Sequence, residues 1–405
     1  MSLIVQKYGG SSVGSVERIQ NVANRIKAKQ EQGDQVVAVI SAMGGVTDSL
    51  LDLANQISSQ PSQRELDVLL ATGEQQSIAL LTMALHEIGI DAVSCTGRQA
   101  GVLTTGTHTA GKVHSINAES VLNNVKQGKV VIVAGFQGIN EQGDIHTLGR
   151  GGSDLSAIAI AHAIGADKCE ILTDVDGVYT CDPRVVPKAQ KIQEISYDEM
   201  FEMASSGSKV MQARSVEFAK KHNVVFEVRS SLNQNSGTLV IEETPAMEAV
   251  VIRGVSIERA QARITITGLP DVPGTSAKVF TALSGAEVNV DMIVSNNTHE
   301  GLTRHSLTIP QSQYLQAKQA LEPVLSAISD EAQLESEQGI GKLSVVGVGM
   351  KSHHGVAAQM FEALGQAGIN IGMISTSEIK ITITLAEEDL ERGAQVVHTA
   401  FGLDA

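Results

Sequence analysis

Short aliphatic runs alternate with longer amphipathic stretches through the first 240 residues. Runs at 3–5, 36–41, 91–94, 130–134, 170–173 and 224–228 have the length and the Val/Ile/Leu content of buried strands. Between them, 16–32, 63–89, 118–127 and 154–164 repeat apolar residues at helical spacing. This alternation predicts an α/β domain with a largely parallel central sheet covered on both faces. Ligands of such sheets gather beyond the carboxyl ends of the strands. A polar, proline-bearing stretch, Glu242-Glu243-Thr244-Pro245, closes the domain, which is assigned to 1–244.

The remaining chain is duplicated. Gly274, Ala277, Phe280, Ala282, Leu283, Asn289, Met292 and Ile293 recur 81 residues later as Gly355, Ala358, Phe361, Ala363, Leu364, Asn370, Met373 and Ile374. An ungapped match of this density points to repeated modules. Each copy reads as strand, turn, helix, strand, strand, helix, over 263–338 and 343–405. The second copy runs out of chain before its last strand. A lone apolar run at 249–255, within a connecting stretch of 245–262, is expected to complete its sheet. The first copy would then be inserted in the second.

Composition narrows the function classes. Hydrophobic residues make up 42% and charged residues 19%, as in a globular protein with real cores. Aromatics are only 3% and tryptophan is absent, so the cores must be aliphatic. A net charge of −15 argues against nucleic-acid or anionic-membrane surfaces. It also requires any polyphosphate site to concentrate its few cations locally. Cys95, Cys169 and Cys181 are too sparse for a disulfide framework or a metal cluster, and read as reduced thiols of a cytoplasmic protein. No signal peptide and no uninterrupted apolar run of about 18 residues stand out.

Two glycine clusters carry the chemistry. Lys7-Tyr8-Gly9-Gly10-Ser11-Ser12 follows the first strand, and Gly149-Arg150-Gly151-Gly152-Ser153-Asp154 opens a helix. Such turns let backbone N–H groups approach an anion at a helix N-terminus. Lys7 suits the bridging oxygens of a nucleotide. The Arg150 fork suits a carboxylate. Asp154 is a helix-opening carboxylate. Ser41 and Thr47 flank another strand-end glycine turn. Gly73 is expected to weaken a long helix, freeing Glu74 to face a ligand ammonium. Thr173, Asp174, Tyr179, Asp182 and Arg184 offer carboxylates for Mg²⁺, an aromatic ring and a cation, and Lys209 adds another lysine at a glycine turn. A calcium loop started at Asp174 is set aside, because Val185 stands where the glutamate belongs. His353-His354 lacks further ligands, so no metal centre is assigned.

Lys7-Tyr8-Gly9-Gly10-Ser11-Ser12-Val13, Thr72-Gly73-Glu74, Leu148 to Asp154 and Thr173 to Tyr179, taken in order with the duplicated tail, resemble the aspartate kinases. The resemblance spans essentially the whole chain. It implies an amino acid kinase fold followed by two ferredoxin-like (βαββαβ) ACT domains. It also implies γ-phosphoryl transfer from ATP, with Mg²⁺, to the side chain of L-aspartate. By the same resemblance Lys7 contacts the phosphates and Asp154 orients it. Ser41, Thr47 and Glu74 hold aspartate, and Arg150 takes its α-carboxylate. Gly151, Gly152 and Ser153 line the reacting groups. Gly9, Gly10, Thr173, Asp174, Tyr179, Asp182, Arg184 and Lys209 serve the nucleotide. Effector positions are Asp271, Gly274, Thr275, Ser276, Ala277, Asn289, Met292 and Val294, with Asn370, Ile371, Thr376 and Ser377 across the repeat. Lysine, threonine or both are the implied effectors. A homo-oligomer through the ACT domains is expected, and a separate regulatory subunit could start near Met247. Two other readings are a fold relative acting on glutamate, a carbamate or a nucleoside monophosphate, and an inert amino-acid sensor.

Overall fold

The computed structural model describes residues 2–208, 210–297 and 301–404. The chain divides into two units. Unit 1 holds residues 1–178, 191–205 and 209–245, and unit 2 holds 179–190, 206–208 and 246–405.

Unit 1 runs β1 (Leu3–Tyr8), α1 (Val16–Glu31), β2 (Gln35–Ile40), α2 (Val46–Ile57), α3 (Gln63–Glu87) and β3 (Ala92–Cys95). There follow β4 (Val102–Thr105), β5 (Lys112–Ile116), α4 (Glu119–Lys126), β6 (Val130–Ala134), β7 (Gln137–Ile139) and β8 (Ile145–Thr147). It continues with α5 (Gly152–Ile164), β9 (Lys168–Thr173), β10 (Glu194–Ser196), α6 (Tyr197–Ser205), α7 (Ala213–His222), β11 (Phe226–Ser230) and β12 (Thr238–Ile241). An eight-stranded sheet has the order β10-β12-β11-β9-β1-β2-β6-β3, and only β11 and β12 pair antiparallel. β1, β2 and β6 are buried almost throughout, which is why they read as continuous aliphatic runs.

A small second sheet, β5-β4-β7-β8, was not legible in the sequence. Its strands are three to five residues long and carry no clear period. The 91–94 and 224–228 strands begin one and two residues later than the sequence suggests, at Ala92 and Phe226.

By length and composition α3 could cross a membrane. In the fold it is a core helix, with Leu70, Ala71, Ile78, Leu81 and Leu85 buried. Ile78, Leu81 and Leu85 join the cluster formed by Tyr8, Ile26, Ile40 and Ile132.

Unit 2 contains α8 (Pro245–Glu248, opening at the unit boundary), β13 (Gly254–Pro270), α9 (Thr275–Gly285), β14 (Ile293–Asn297), β15 (Leu302–Pro310) and α10 (Tyr314–Ile328). It ends with β16 (Gln333–Val346), α11 (Val356–Gln366), β17 (Ile374–Thr376), β18 (Lys380–Ala386) and α12 (Leu390–Ala400). All six strands form one sheet, β14-β15-β13-β16-β18-β17. The strand expected at 249–255 starts only at Gly254 and does not stop at the repeat boundary. Its first part, 254–258, pairs with 342–346, and its second part, 261–267, pairs with 333–340. β13 and β16 therefore each serve both copies. Lys342, 6% exposed, ties them further. Its ammonium meets Glu258 at 2.6 Å across the ladder and also pairs with Asp291 of the first copy.

Residues 179–190 leave unit 1 and fold with unit 2, although the sequence reading kept them in 1–244. The cause is apolar. Cys181, Val185 and Val186 are buried in one cluster with Leu343, Met360, Ile383 and Val397. Burial pushes the Cys181 thiol up to about 12. Thr180 Oγ1 lies 2.8 Å from His398 Nε2, and the Gln395 amide donates to the Val185 carbonyl at 2.8 Å.

Leu343 is fully buried on the shared strand β16. Leu343→Ala should cost about 2–5 kcal/mol in denaturant unfolding of this unit. Hydrogen exchange should rise at 261–266 as well as at 254–258, since both pair with β16. Faster exchange confined to one copy would contradict a shared strand as the coupling element.

Candidate active site

The site begins at the carboxyl ends of β1, β2, β6 and β9. Lys7 sits one residue before the end of β1, in register with Val39 and Ile171. Its Nζ pairs with Asp154 Oδ1 at 2.7 Å, both side chains nearly buried at 12% and 10% exposure. Asp154 lies in the first turn of α5, where a carboxylate also complements the helix dipole. α5 packs against β1, β2 and β9, and its first ten positions, 152–161, are all buried. The buried first turns of α5 thus place one acidic residue, Asp154, beside one lysine.

The glycine turns behave as backbone cradles. A Cβ on Gly9 would sit 3.4 Å from Lys7 Nζ, and one on Gly10 would sit 2.8 Å from the Ala42 carbonyl. Gly9 N–H bonds the Leu172 carbonyl at 3.2 Å, and Gly44 N–H bonds the Gly10 carbonyl at 3.1 Å. Ser41 N–H bonds the Tyr8 carbonyl at 3.1 Å, and Thr47 lies in the first turn of α2. α2 and α5 both start from a left-handed glycine, Gly45 and Gly151, with no side-chain cap. The first N–H of each is taken by its turn, Val46 by the Met43 carbonyl and Gly152 by the Gly149 carbonyl, both at 3.0 Å, and the N–H groups after them in the first turn are the ones placed for an anion. Gly151 has φ +69°, and a Cβ there would fall 1.9 Å from Gln212 Cγ, so only glycine fits.

Gly73 corrects the expectation of a weakened helix, because α3 runs through it unbroken. Its Cβ position lies 2.9 Å from Ala42 Cβ, so the missing side chain lets α3 approach the β2 turn. That approach delivers Glu74. Its Oε1 accepts from Ala42 N–H at 3.0 Å, and its Oε2 is buried without a protein partner among the described residues. Burial raises the Glu74 carboxyl to about 7, and the Ala42 hydrogen bond only partly opposes this. A buried acceptor of this kind is ready for an ammonium group.

Arg150 is exposed on the loop between β8 and α5. The loop is held from below by residues the sequence reading missed. Arg214 Nη2 donates to the Gly149 and Arg150 carbonyls at 3.4 and 3.3 Å, and Ser215 Oγ donates to the Gly151 carbonyl at 3.3 Å. Arg214 is itself depressed by burial. Its position just after a glycine turn and the helix start of α7 was the available signal. Gly152 and Ser153 open α5, and a Cβ on Gly135 would touch Ser153 Oγ at 2.8 Å.

Thr173 ends β9 and Asp174 follows it, with Thr173 Oγ1 bonded to Asp174 Oδ1 at 3.1 Å. Tyr179, Asp182 and Arg184 fold with unit 2, where Asp182 and Arg184 pair at 2.7 Å. Lys209 lies outside the described residues. Lys7, Gly9, Gly10, Ser41, Glu74, Ser153, Asp154, Thr173 and Asp174 are therefore linked around one set of strand ends.

In unit 2, Gly274 and Gly355 are left-handed starts of α9 and α11. Thr275 is buried and Ala277 exposed on α9. Asn297 Nδ2 donates to Asp271 at 2.8 Å, and Ser276 Oγ lies 3.1 Å from His305 Nε2. Asn289 N–H bonds Gln313 at 2.9 Å and lines a hollow of about 340 Å³ with Phe280 and Glu287. Met292 N–H bonds Thr308 Oγ1 at 3.1 Å, and Val294 lies on β14. A cavity of about 530 Å³ in the second copy is lined by Lys351, His353, His354, Gly355, Thr376 and Ser377. Asn370 and Ile371 precede β17. Within one chain the candidate effector positions of the two copies lie on separate strands. β14 and β17 are the opposite edges of the sheet, with four strands between them.

The amino acid kinase family model matches residues 2–230, and an ACT domain model matches 264–325 and 343–401. The chain is 50% identical to an aspartate kinase of Pseudomonas putida and to an aspartokinase of Pseudomonas aeruginosa. Each alignment covers 100% of this chain and 98% of the relative. Aspartokinase III of E. coli, solved with aspartate and ADP in an R-state, matches with TM-score 0.81 and 26% identity, over 98% of this chain and 99% of that one. The same relative in a T-state complex with lysine and aspartate matches with TM-score 0.77 and 25% identity, over the same shares.

The raised Glu74 carboxyl has a stability consequence. The folded chain keeps this proton up to about pH 7, while an unfolded glutamate loses it near 4.5. Folding stability should therefore fall as pH rises from about 4.5 to 7, by an amount on the order of 3 kcal/mol from this group. Glu74→Gln should remove that part of the slope, so its stability relative to wild type grows across the window. A difference that stays constant between pH 4.5 and 8 would show that Glu74 carries no such strain.

Proposed function

Because this chain belongs to the aspartate kinase family, with an amino acid kinase domain and paired ACT modules, we propose the following reaction. The γ-phosphoryl group of ATP passes to the side-chain carboxylate of L-aspartate, giving 4-phospho-L-aspartate, a first step towards lysine, threonine and methionine. The observation that carries this reading is the Lys7–Asp154 pair beside two uncapped helix N-termini and the unsatisfied Glu74 oxygen.

The nucleophile needs no general base, since an aspartate side chain ionises near about 3.9. The barrier is the meeting of two anions, and the protein lowers it by fixed positive charge and alignment. Lys7 offsets charge on the transferring group, and Asp154 fixes where Lys7 points. Arg150 takes the α-carboxylate, Glu74 takes the ammonium, and Ser41 and Thr47 complete the substrate wall. The turn from Gly151 to Ser153 lines the reacting groups. Gly9, Gly10, Thr173 and Asp174 receive the nucleotide.

Among the described residues, no cluster of three His, Cys, Asp or Glu side chains forms a metal cage. Mg²⁺ that binds substrate phosphates takes one or two protein carboxylates. Exposed Asp174 at the end of β9 is the residue placed to supply one. The ion would neutralise phosphate charge.

Lysine, threonine or both act as feedback effectors on the ACT modules. The lysine complex of the E. coli relative supports this reading. A second chain explains how positions on β14 and β17 can share a ligand, because edge-to-edge pairing of two sheets brings opposite edges together. The continuous part of unit 2 begins at Ala246, next to Met247, so an internal start there would produce a nearly whole regulatory unit.

Lys7→Ala should lower kcat roughly 10²- to 10³-fold with little change in aspartate KM, measured as ADP release and aspartyl phosphate formation. Unchanged turnover would remove Lys7 from the reaction. Titration with lysine and threonine, singly and together, should inhibit in at least one arm. Activity indifferent to all three mixtures would remove the feedback assignment.

A further inference from the structure

Seven residues before Glu74, on the same stripe of α3, Asp67 is fully buried. Both of its carboxyl oxygens are saturated. Oδ1 accepts from Thr147 N–H at 3.0 Å, Thr147 Oγ1 at 2.5 Å and Thr109 N–H at 3.0 Å. Oδ2 accepts from His108 Nδ1 at 2.6 Å and shares Thr109 N–H at 3.1 Å. A buried acidic side chain is costly unless its oxygens are satisfied in this way.

These donors flank the root of the Arg150 loop. Thr147 ends β8, and two residues later Gly149 begins the left-handed turn (φ +68°) that leads to Arg150. On the other side, Gly111 N–H bonds the Thr147 carbonyl at 2.9 Å, and the Thr109 carbonyl lies 3.2 Å from the Cβ position of Gly149. Thr109 has φ +64°, a left-handed backbone that a β-branched residue adopts only when its surroundings enforce it. The Asp67 carboxyl, which takes the Thr109 N–H, is what enforces it.

We infer that Asp67 is a positioning residue for the amino-acid substrate. It clamps Thr109 and Thr147, and so sets the Arg150 loop relative to Glu74 on the same rigid helix. Two turns of α3, about 10 Å along its axis, separate Asp67 from Glu74, so one helix fixes the root of the Arg150 loop relative to the receptor for the substrate ammonium. This rests on the reading of Arg150 and Glu74 given above. The nucleotide contacts at the ends of β1 and β9 lie outside the clamp.

The experiment compares the full-length Asp67→Asn, Thr147→Val and Arg150→Ala variants, and the double variant Asp67→Asn/Thr109→Gly, by KM for aspartate, KM for ATP and kcat. Arg150→Ala should raise the aspartate KM and serves as the reference. Asp67→Asn should raise it at least tenfold while the ATP KM stays within twofold. Thr147→Val keeps the backbone bond and the side-chain volume, so it should fold even if Asp67→Asn does not, and should raise the aspartate KM several-fold. Glycine accepts φ +64° without strain, so Thr109→Gly should recover most of the loss caused by Asp67→Asn. An unchanged aspartate KM in Thr147→Val, or equal rises in both KM values, would overturn the proposal while leaving Arg150 in place. An unchanged aspartate KM in Arg150→Ala would overturn the substrate reading and this inference with it.

Discussion

The Lys7–Asp154 ion pair is the contact on which the kinase unit turns. The chain carries an excess of fifteen negative charges, so a cation at a strand end will be drawn to many partners. Asp154 resolves this by holding the Lys7 ammonium at 2.7 Å in a nearly water-free setting. The pair works because two elements distant in sequence end at one place. β1 brings the lysine through its parallel pairing with β2 and β9, and α5 packs over the same strands. Removing either partner would leave the other buried and uncompensated, which costs more than the pair itself contributes.

Around that pair the molecule makes room by omission. Gly10 and Gly73 both approach Ala42, and Gly151 passes Gln212 closer than any side chain allows. Close approach of this kind positions backbone N–H groups and buried acids with little freedom to relax. Glu74 is held where its carboxyl is partly desolvated, and Asp67 where every oxygen is used. The same helix thus carries one acid left unsatisfied and one fully satisfied. The first suits an incoming charge, and the second suits a fixed loop.

Unit 2 solves a different problem. Two duplicated modules could be independent, but β13 and β16 are continuous through both. The two copies are therefore joined by backbone hydrogen bonds along shared strands. Lys342, between Glu258 and Asp291, adds an electrostatic tie at the same seam.

The sequence by itself determined the parallel sheet and the duplication, and it singled out Lys7, Arg150, Glu74 and Asp154 as candidate site residues. Those features are local: aliphatic runs mark buried strands, and glycine turns followed by helices mark anion sites. The 3–5-residue strands of the small sheet left no period to detect. Gly73 looked like a helix breaker, because its neighbour Ala42 is 31 positions away in sequence and adjacent only in the fold. Arg214, Asp67 and Thr109 were silent for the same reason, since nothing in their surroundings along the chain predicts a partner. Only tertiary structure decided that 179–190 folds with the ACT unit. Short apolar side chains such as Val185 and Val186 go where the largest complementary apolar surface lies, and that surface is assembled mostly from residues more than 150 positions downstream, such as Leu343 and Val397.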